Sequence, residues 1–324
     1  MFNTETGTNI ERAAKLLYES ELVAIPTETV YGLAANGLDS KAIMKIFNAK
    51  KRPLSNPLIL HFKDIESVAK YTGELPLAAQ KLAHQFWPGP LTLLLDRRDQ
   101  IPDIVNSGRE KVAVRVPQHP MLLHLLTAVE FPLAAPSANL YGRISPTTAE
   151  HVSKELSGVI SYILDGGPCT KGIESTIIGF EGDDTLIYRL GALPVEDIEL
   201  CIGKKALLHN HTSNIEKPVA SGMVNFHYAP QTPIFDIEDL HTTHDLKNYG
   251  YIGYDELHNT IPVENQFLLS PDSDLNEASR NLYTSLHFMD SKDFDGIFIC
   301  QFPEYGLGQS INDRINKAIA KFKT

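Results

Sequence analysis

The feature that most constrains this chain is a recurrence of short apolar runs, each of strand length, separated by amphipathic segments or polar turns. Residues 22–25, 58–60, 91–95, 112–116, 133–135 and 159–164 are such runs. Between them the period lengthens to that of a helix. Asn9 is placed to cap a helix through Leu17, with Ile10, Ala13, Ala14 and Leu17 on one face. Further helices are expected near 40–48, over 74–86 and over 147–156, the last directly after Pro146. Residues 177–180 and 186–188 read as a hairpin around Glu181-Gly182-Asp183-Asp184. Pro26 ends the first apolar run just before a polar turn. Strands and helices mixed in this way call for one α/β domain of about 200 residues.

The chain continues to 324 residues, beyond the usual size of a single domain. Its character changes after about residue 205. Residues 209–214 are polar, and 218–233 mix prolines, aromatics and small residues without helical or strand periodicity. A flexible Gly/Ser linker would look different, so this reads as an ordered connector. After Pro233 the α/β pattern restarts, with apolar runs at 234–235, 251–254, 267–269 and 296–300. Helices are expected at 275–288 and 310–322. The division that follows is a domain over 1–205, an ordered connector over 206–232, and a small domain over 233–324.

Charge and cysteine content narrow the functional classes. The formal net charge is −11, which disfavours extensive wrapping of nucleic acid and leaves room for a local basic cleft. Locally the sign reverses: Asp39 is followed by Lys41, Lys45, Lys50, Lys51 and Arg52. A small polyanionic ligand accounts for that contrast better than a long nucleic acid. Cys169, Cys201 and Cys300 are scattered, without a Cys-x-x-Cys pair, which argues against a disulfide scaffold or a cysteine-rich zinc site. No run has the apolar length of a membrane span. A soluble protein of a reducing, cytoplasmic compartment is expected. A Walker A loop, a Gly-x-Gly-x-x-Gly fingerprint, a Gly-x-Ser-x-Gly elbow and a His-Glu-x-x-His pair are all missing.

Several polar residues lie at the ends of apolar elements. Thr27 and Thr29 sit two apart in Pro26-Thr27-Glu28-Thr29-Val30-Tyr31-Gly32-Leu33, in a position to face one pocket. Lys50 and Arg52 share parity in an extended segment before Pro53, with Asn56 and His61 downstream. Arginine can clamp phosphate oxygens while lysine supplies a point charge. Val112-Ala113-Val114-Arg115-Val116 sets an arginine in an apolar strand, where it must find a carboxylate, a ligand or solvent. Ala134-Ala135-Pro136-Ser137-Ala138-Asn139, then Gly142 and Ser145-Pro146-Thr147, combine small residues with neutral donors. Ser145 and Thr147 serve equally well as helix caps. Glu174-Ser175-Thr176 and Arg189 add hydroxyls and a further arginine.

Taken together, these segments resemble the YrdC/Sua5 family of threonylcarbamoyl-AMP synthases in its longer, two-domain form. The resemblance rests also on Lys50-Lys51-Arg52-Pro53, Asn56-Pro57-Leu58, Phe86-Trp87-Pro88-Gly89-Pro90-Leu91-Thr92 and Val114-Arg115-Val116-Pro117. Ser221-Gly222-Met223 and His227-Tyr228-Ala229-Pro230 resemble the long form's connector, and Gly306-Leu307-Gly308 with Asp313-Arg314 resembles its second domain. The chain departs from the family pattern at Ser221, where proline is common, at Val224-Asn225-Phe226, and at Lys51, where glycine is frequent. The fold implied is a twisted mixed-sheet YrdC-like catalytic domain with a small Rossmann-like α/β domain after it. The resemblance also implies that the connector over 206–232 crosses the site's entrance.

The reaction implied is L-threonine, bicarbonate and ATP giving threonylcarbamoyl-AMP, pyrophosphate and water, by a nucleotidyltransferase. Its product feeds the tRNA threonylcarbamoyl-transfer machinery that modifies adenosine 37. Mg2+ is expected with ATP, and no metal site of the protein's own. The resemblance implies that Arg52, Asn56, Lys111, Ser137, Ser145, Arg189 and Tyr228 serve ATP. Thr29, His61, Arg115, Ala135 and Ser175 serve threonine, with Thr27, Tyr31 and Asn139 in support. Lys50, Arg52 and His61 are the catalytic candidates. Two alternatives stay open: a carbamoyl-adenylate module using carbamoyl phosphate, and a double-stranded RNA-binding protein without catalysis.

Overall fold

The computed structural model describes residues 3–209, 219, 222, 227–243 and 245–323. Most of the connector's expected features, including Ser221, Met223 and Val224-Asn225-Phe226, lie outside the described residues.

Among the described residues an 11-stranded mixed sheet forms the first unit. Its centre runs Gly32–Asn36, Leu133–Ala134, Ile59–His61, Lys111–Arg115, Leu91–Asp96, Thr176–Glu181 and Asp184–Arg189, in that lateral order. Parallel pairing of Ile59–His61 with Lys111–Arg115 sets His61 directly opposite Arg115. Parallel pairing of Leu91–Asp96 with Thr176–Glu181 sets Leu91 opposite Thr176. Polar groups from distant parts of the sequence thus arrive at one edge of the sheet's centre.

The helices form where local chemistry favours them. Ile10–Tyr18 is capped by the Asn9 side chain, which accepts from the Arg12 backbone N–H, and buries Ala13, Ala14 and Leu17. Ser40–Lys50 is capped by Asp39 and buries Ala42, Ile43, Ile46 and Phe47. It stops at Lys51, whose φ of 53° is the left-handed conformation that glycine takes most easily. The glycine frequent here in the family is explained by that turn. Ala149–Leu156 starts behind Thr148, whose hydroxyl accepts from the His151 N–H. The helix expected over 74–86 begins later, at Leu77, because Pro76 fixes the entry.

The sequence reading overlooked some elements. Gly32–Asn36 is a strand in a stretch to which the sequence pattern assigns no element. Gly-Leu-Ala-Ala-Asn has little strand propensity, and pairing on both flanks, with Val23–Ile25 and Leu133–Ala134, overrides it. Pro120–Ala128 is so uniformly apolar that it shows no helical contrast. Val195–Ile202, ended by Gly203, was also missed.

The second unit is a 4-stranded sheet in the order Ile234–Asp236, Gly296–Ile299, Tyr249–Gly253, Gln266–Leu268, all parallel. Leu275–Asp290 and Leu307–Ala320 flank it. One apolar cluster joins the two units, with Val30, Ile144, Ile173 and Ala192 of the first packed with Leu282, Tyr283, Ile311 and Ile315 of the second. Each fully buried aliphatic side chain there contributes roughly 1.5–3 kcal/mol. Among the described residues no helix is long and apolar enough to cross a membrane.

Candidate active site

A cavity opens at the edge where the strand ends converge. Thr27, Thr29, His61, Arg115, Ala135, Ser137, Ser175, Arg189 and Tyr228 line it, together with Glu174 and His227.

One side is built on the turn after the strand Val23–Ile25. Thr27 Oγ1 accepts from the backbone N–H groups of Thr29 (3.0 Å) and Val30 (3.1 Å) and lies 2.8 Å from Thr29 Oγ1. This local hydroxyl turn fixes both threonines before any ligand arrives. Arg115 reaches across, donating from Nη1 to Thr29 Oγ1 at 3.0 Å and from Nε to Gly89 O at 3.1 Å. Its Nη2 stands 2.6 Å from Glu28 Oε1, in an ion pair that is almost wholly buried. An arginine in an apolar strand needed such a partner, and Glu28 is the carboxylate that the sequence reading left unassigned. His61 is buried beside Arg115, and its Nδ1 has no hydrogen-bond partner among the described residues. Burial, then the Arg115 charge, pushes its pKa down to about 3, so the imidazole is neutral near pH 7.

The other side is cationic. Arg189 donates from Nε (3.0 Å) and Nη2 (2.8 Å) to Ser175 O, and from Nη2 to Ser175 Oγ at 3.0 Å. Ser175 Oγ lies 2.7 Å from Thr92 Oγ1, which locks the serine between two strands. Tyr228 closes this side with a φ of 64° and a hydroxyl that finds no partner among the described residues. Burial raises that phenol to about 12. His227 is also buried, and its pKa is driven down to about 3, chiefly by desolvation. Unpaired buried donors and acceptors on a cavity wall are what a polar ligand would satisfy.

The remaining candidates stand behind this wall. Lys50, 1% exposed, donates from Nζ to Ser137 O at 2.5 Å and to Asn139 O. It therefore fixes the Ser137–Asn139 loop, and is not among the lining residues. Arg52 donates from Nη2 to Asn56 Oδ1 (2.7 Å) and Pro57 O (2.9 Å), bracing the turn after its helix. Asn56 in turn donates to Tyr141 Oη at 3.3 Å. Asn139 bonds to Leu140 O and Arg143 O, which closes its own loop. Tyr31 points its hydroxyl at Gly167 O (2.8 Å), so it braces a neighbouring turn. Ser145 donates to Glu174 Oε1 at 2.6 Å and sits directly behind that carboxylate. Lys111 is separated from the rest. It begins the strand that Arg115 ends, about 13 Å away along the chain, and donates to Phe180 O at 2.7 Å.

Glu174 and His227 are wall residues that the sequence reading passed over. Each lay inside a quoted motif, beside a chosen residue. Burial alone would raise the Glu174 pKa; Arg314, Arg189 and the Ser145 bond outweigh it and hold the carboxyl at about 2. Among the described residues no group of three His, Cys, Asp or Glu is placed to hold a metal ion.

Comparison with known proteins agrees with this geometry. The family model described as "Telomere recombination" (Sua5, YciO and YrdC) matches residues 15–191. The model described as "Threonylcarbamoyl-AMP synthase, C-terminal domain" matches residues 193–320. The threonylcarbamoyl-AMP synthase of Bacillus subtilis is 39% identical over 97% of this chain and 94% of its own length. That of Pyrococcus abyssi is 38% identical over 95% of this chain and 93% of its own. The crystal structure of P. abyssi Sua5 complexed with L-threonine superposes with a TM-score of 0.89 at 37% identity, covering 98% of this chain and 97% of that one.

Proposed function

The chain belongs to the threonylcarbamoyl-AMP synthase family and is a nucleotidyltransferase that forms threonylcarbamoyl-AMP for tRNA modification, and on that premise we propose how its residues divide the work. Thr29, His61, Arg115 and Ser175 hold L-threonine, with Thr27 fixing Thr29 and Ala135 offering backbone. Ser137, Arg189 and Tyr228 meet ATP, while Arg52, Asn56 and Ser145 hold the groups behind them. Lys50 acts through the loop it ties down, as does Asn139, and Tyr31 braces the turn behind. Lys111 reaches the nucleotide only by leaving Phe180 O. The observation that carries this division is the pairing of a hydroxyl-and-arginine wall with a cationic wall on one cavity.

Threonine's ammonium and bicarbonate combine with loss of water and one proton, forming a C–N bond and a carbamate. A carbamate oxygen then attacks the α-phosphorus of ATP. The new P–O bond forms as the bond to the β-phosphate oxygen breaks, and pyrophosphate leaves with that electron pair. No covalent protein intermediate is needed, so alignment of two anions and preorganised donors carry the catalysis. Arg115 orients the threonine side, and Arg189 sits where charge builds on the phosphoryl group. His61, neutral at working pH, serves as a hydrogen-bonding group more readily than as a base.

The family uses ATP with a divalent cation, which we take to be Mg2+ carried on the phosphates and neutralising part of their charge. Glu174 is the carboxylate on the cavity wall, and both its oxygens are already engaged, which supports a cation that enters with its substrate. We further propose catalytic residues over 1–205, a connector over 206–232 that crosses the entrance, and a second domain over 233–324. The product passes to the tRNA threonylcarbamoyl-transfer machinery. Three free cysteines support a cytoplasmic setting.

Calorimetric titrations test the division of the site. His61→Ala should weaken L-threonine binding about tenfold or more while a nonhydrolysable ATP analogue binds as before. Arg189→Ala should weaken the analogue about tenfold or more and L-threonine less, the smaller loss coming from the bonds that fix Ser175. Equal losses for both ligands in both variants would overturn the assignment.

A further inference from the structure

The second domain sends one buried side chain to the back of the nucleotide wall. Arg314, in the helix Leu307–Ala320, is 1% exposed. Its Nε donates to Glu174 Oε2 at 2.9 Å, its Nη2 to Leu190 O at 2.7 Å, and its Nη1 to Asp313 Oδ2 at 2.6 Å. The guanidinium carbon lies 5.0 Å from the centre of the Tyr228 ring. Tyr283, from the helix Leu275–Asp290, donates its hydroxyl to the same Glu174 carboxylate at 3.0 Å. The other Glu174 oxygen receives Ser145 Oγ at 2.6 Å.

One arginine therefore touches Tyr228 and the carbonyl that follows Arg189 directly, and reaches Ser145 through Glu174. We propose that Arg314 is a positioning residue for the nucleotide side of the site, orienting Ser145 through Glu174 and holding Tyr228 by its ring. The inference rests on the assignment of those three groups to ATP. It makes the second domain part of the binding site instead of an appendage. A buried carboxylate held on three sides by named donors has one orientation, so Ser145 keeps one rotamer. Loss of the guanidinium frees the carboxylate to turn, so Ser145 and the Tyr228 ring both lose their fixed positions. The packing below is equally specific. A side chain at Gly191 would bring a Cβ within 2.4 Å of the Ser175 carbonyl carbon, and Ser310 of the same helix donates to Gly191 O at 2.8 Å.

Interdomain cement alone would explain the burial, so the test must read the nucleotide. The full chain and its Arg314→Lys, Tyr283→Phe, Ser145→Ala and paired variants are titrated with a nonhydrolysable ATP analogue and, separately, with L-threonine. Arg314→Lys should weaken the analogue about tenfold, and Tyr283→Phe less, with L-threonine affinity within about twofold of wild type. Combined with Ser145→Ala, each should add little beyond the larger single effect, since both act on one orientation. Independent, multiplying losses would overturn the proposal, as would unchanged analogue affinity. So would threonine affinity falling in step. If Arg314→Lys does not fold, the Tyr283→Phe and Ser145→Ala cycle decides alone. Failure of the family assignment would appear elsewhere, as wild-type protein without threonine-dependent pyrophosphate release.

Discussion

Replacing Arg115 by methionine separates what this residue does for the fold from what it does for the ligand. The wild-type guanidinium and the Glu28 carboxylate are 4% and 3% exposed, and they stand 2.6 Å apart. Removing one partner leaves an uncompensated buried charge, a change that costs about 3–5 kcal/mol. For a chain of this length that corresponds to a melting temperature lower by about 4–7 °C. The double variant Arg115→Met/Glu28→Gln removes both charges and should recover at least half of the loss. The ligand responds differently. Arg115 also supplies the bond to Thr29 Oγ1, and neither variant restores it. L-threonine should therefore bind about tenfold to hundredfold more weakly in both. Urea unfolding and calorimetric titration measure the two effects on the same samples. A single variant within about 1 kcal/mol of wild type would refute the buried-pair argument. Wild-type threonine affinity in the double variant would refute the ligand assignment.

Other outcomes follow from single contacts. Arg52→Ala should lower turnover roughly hundredfold by loosening the Asn56 turn on the ATP side, with a near-native circular dichroism spectrum; unchanged kcat/KM for ATP would contradict it. Lys51→Gly should raise stability by roughly 0.5–1 kcal/mol, since relief at a φ of 53° exceeds the added freedom of the unfolded chain; a lower denaturation midpoint would count against it. Acid should destabilise the fold early. His61, His227 and His287 have folded pKa values pushed down to about 3, so the unfolded chain binds more protons and stability falls as pH drops from about 6.5 towards 3, by up to about 1.4 kcal/mol per unit for each. Glu174, held at about 2, adds a second loss as pH falls from about 4.5 towards 2; a flat unfolding free energy between pH 6.5 and 4 would refute the first window.

How much of this was legible in the sequence depended on the range over which the information is written. Caps and faces are local, and Asn9 with Ala13, Ala14 and Leu17 specified its helix directly. The arginine in an apolar strand announced a buried partner, yet nothing local identified Glu28, because that pairing needs the sheet's register. Lys50 and Arg52 sit close in sequence and share a sign. The helix end turns between them, so one ammonium ties down a loop while the guanidinium braces the next turn. Motif resemblance grouped the site before geometry did. It could not reveal that Glu174 takes its orientation from Arg314, a residue of the other domain, because that contact joins positions far apart in the chain. The strand Gly32–Asn36 was hidden for a related reason: its neighbours, rather than its own side chains, make it a strand.

The central claim is a reaction, and omission of substrates tests it most directly. Purified full-length protein is incubated with labelled ATP, Mg2+, L-threonine and bicarbonate, and then with each left out in turn. Pyrophosphate release should require threonine and bicarbonate together, and threonylcarbamoyl-AMP should accumulate in proportion to it. Equal turnover with carbamoyl phosphate in place of both, or pyrophosphate release without either, would contradict the account.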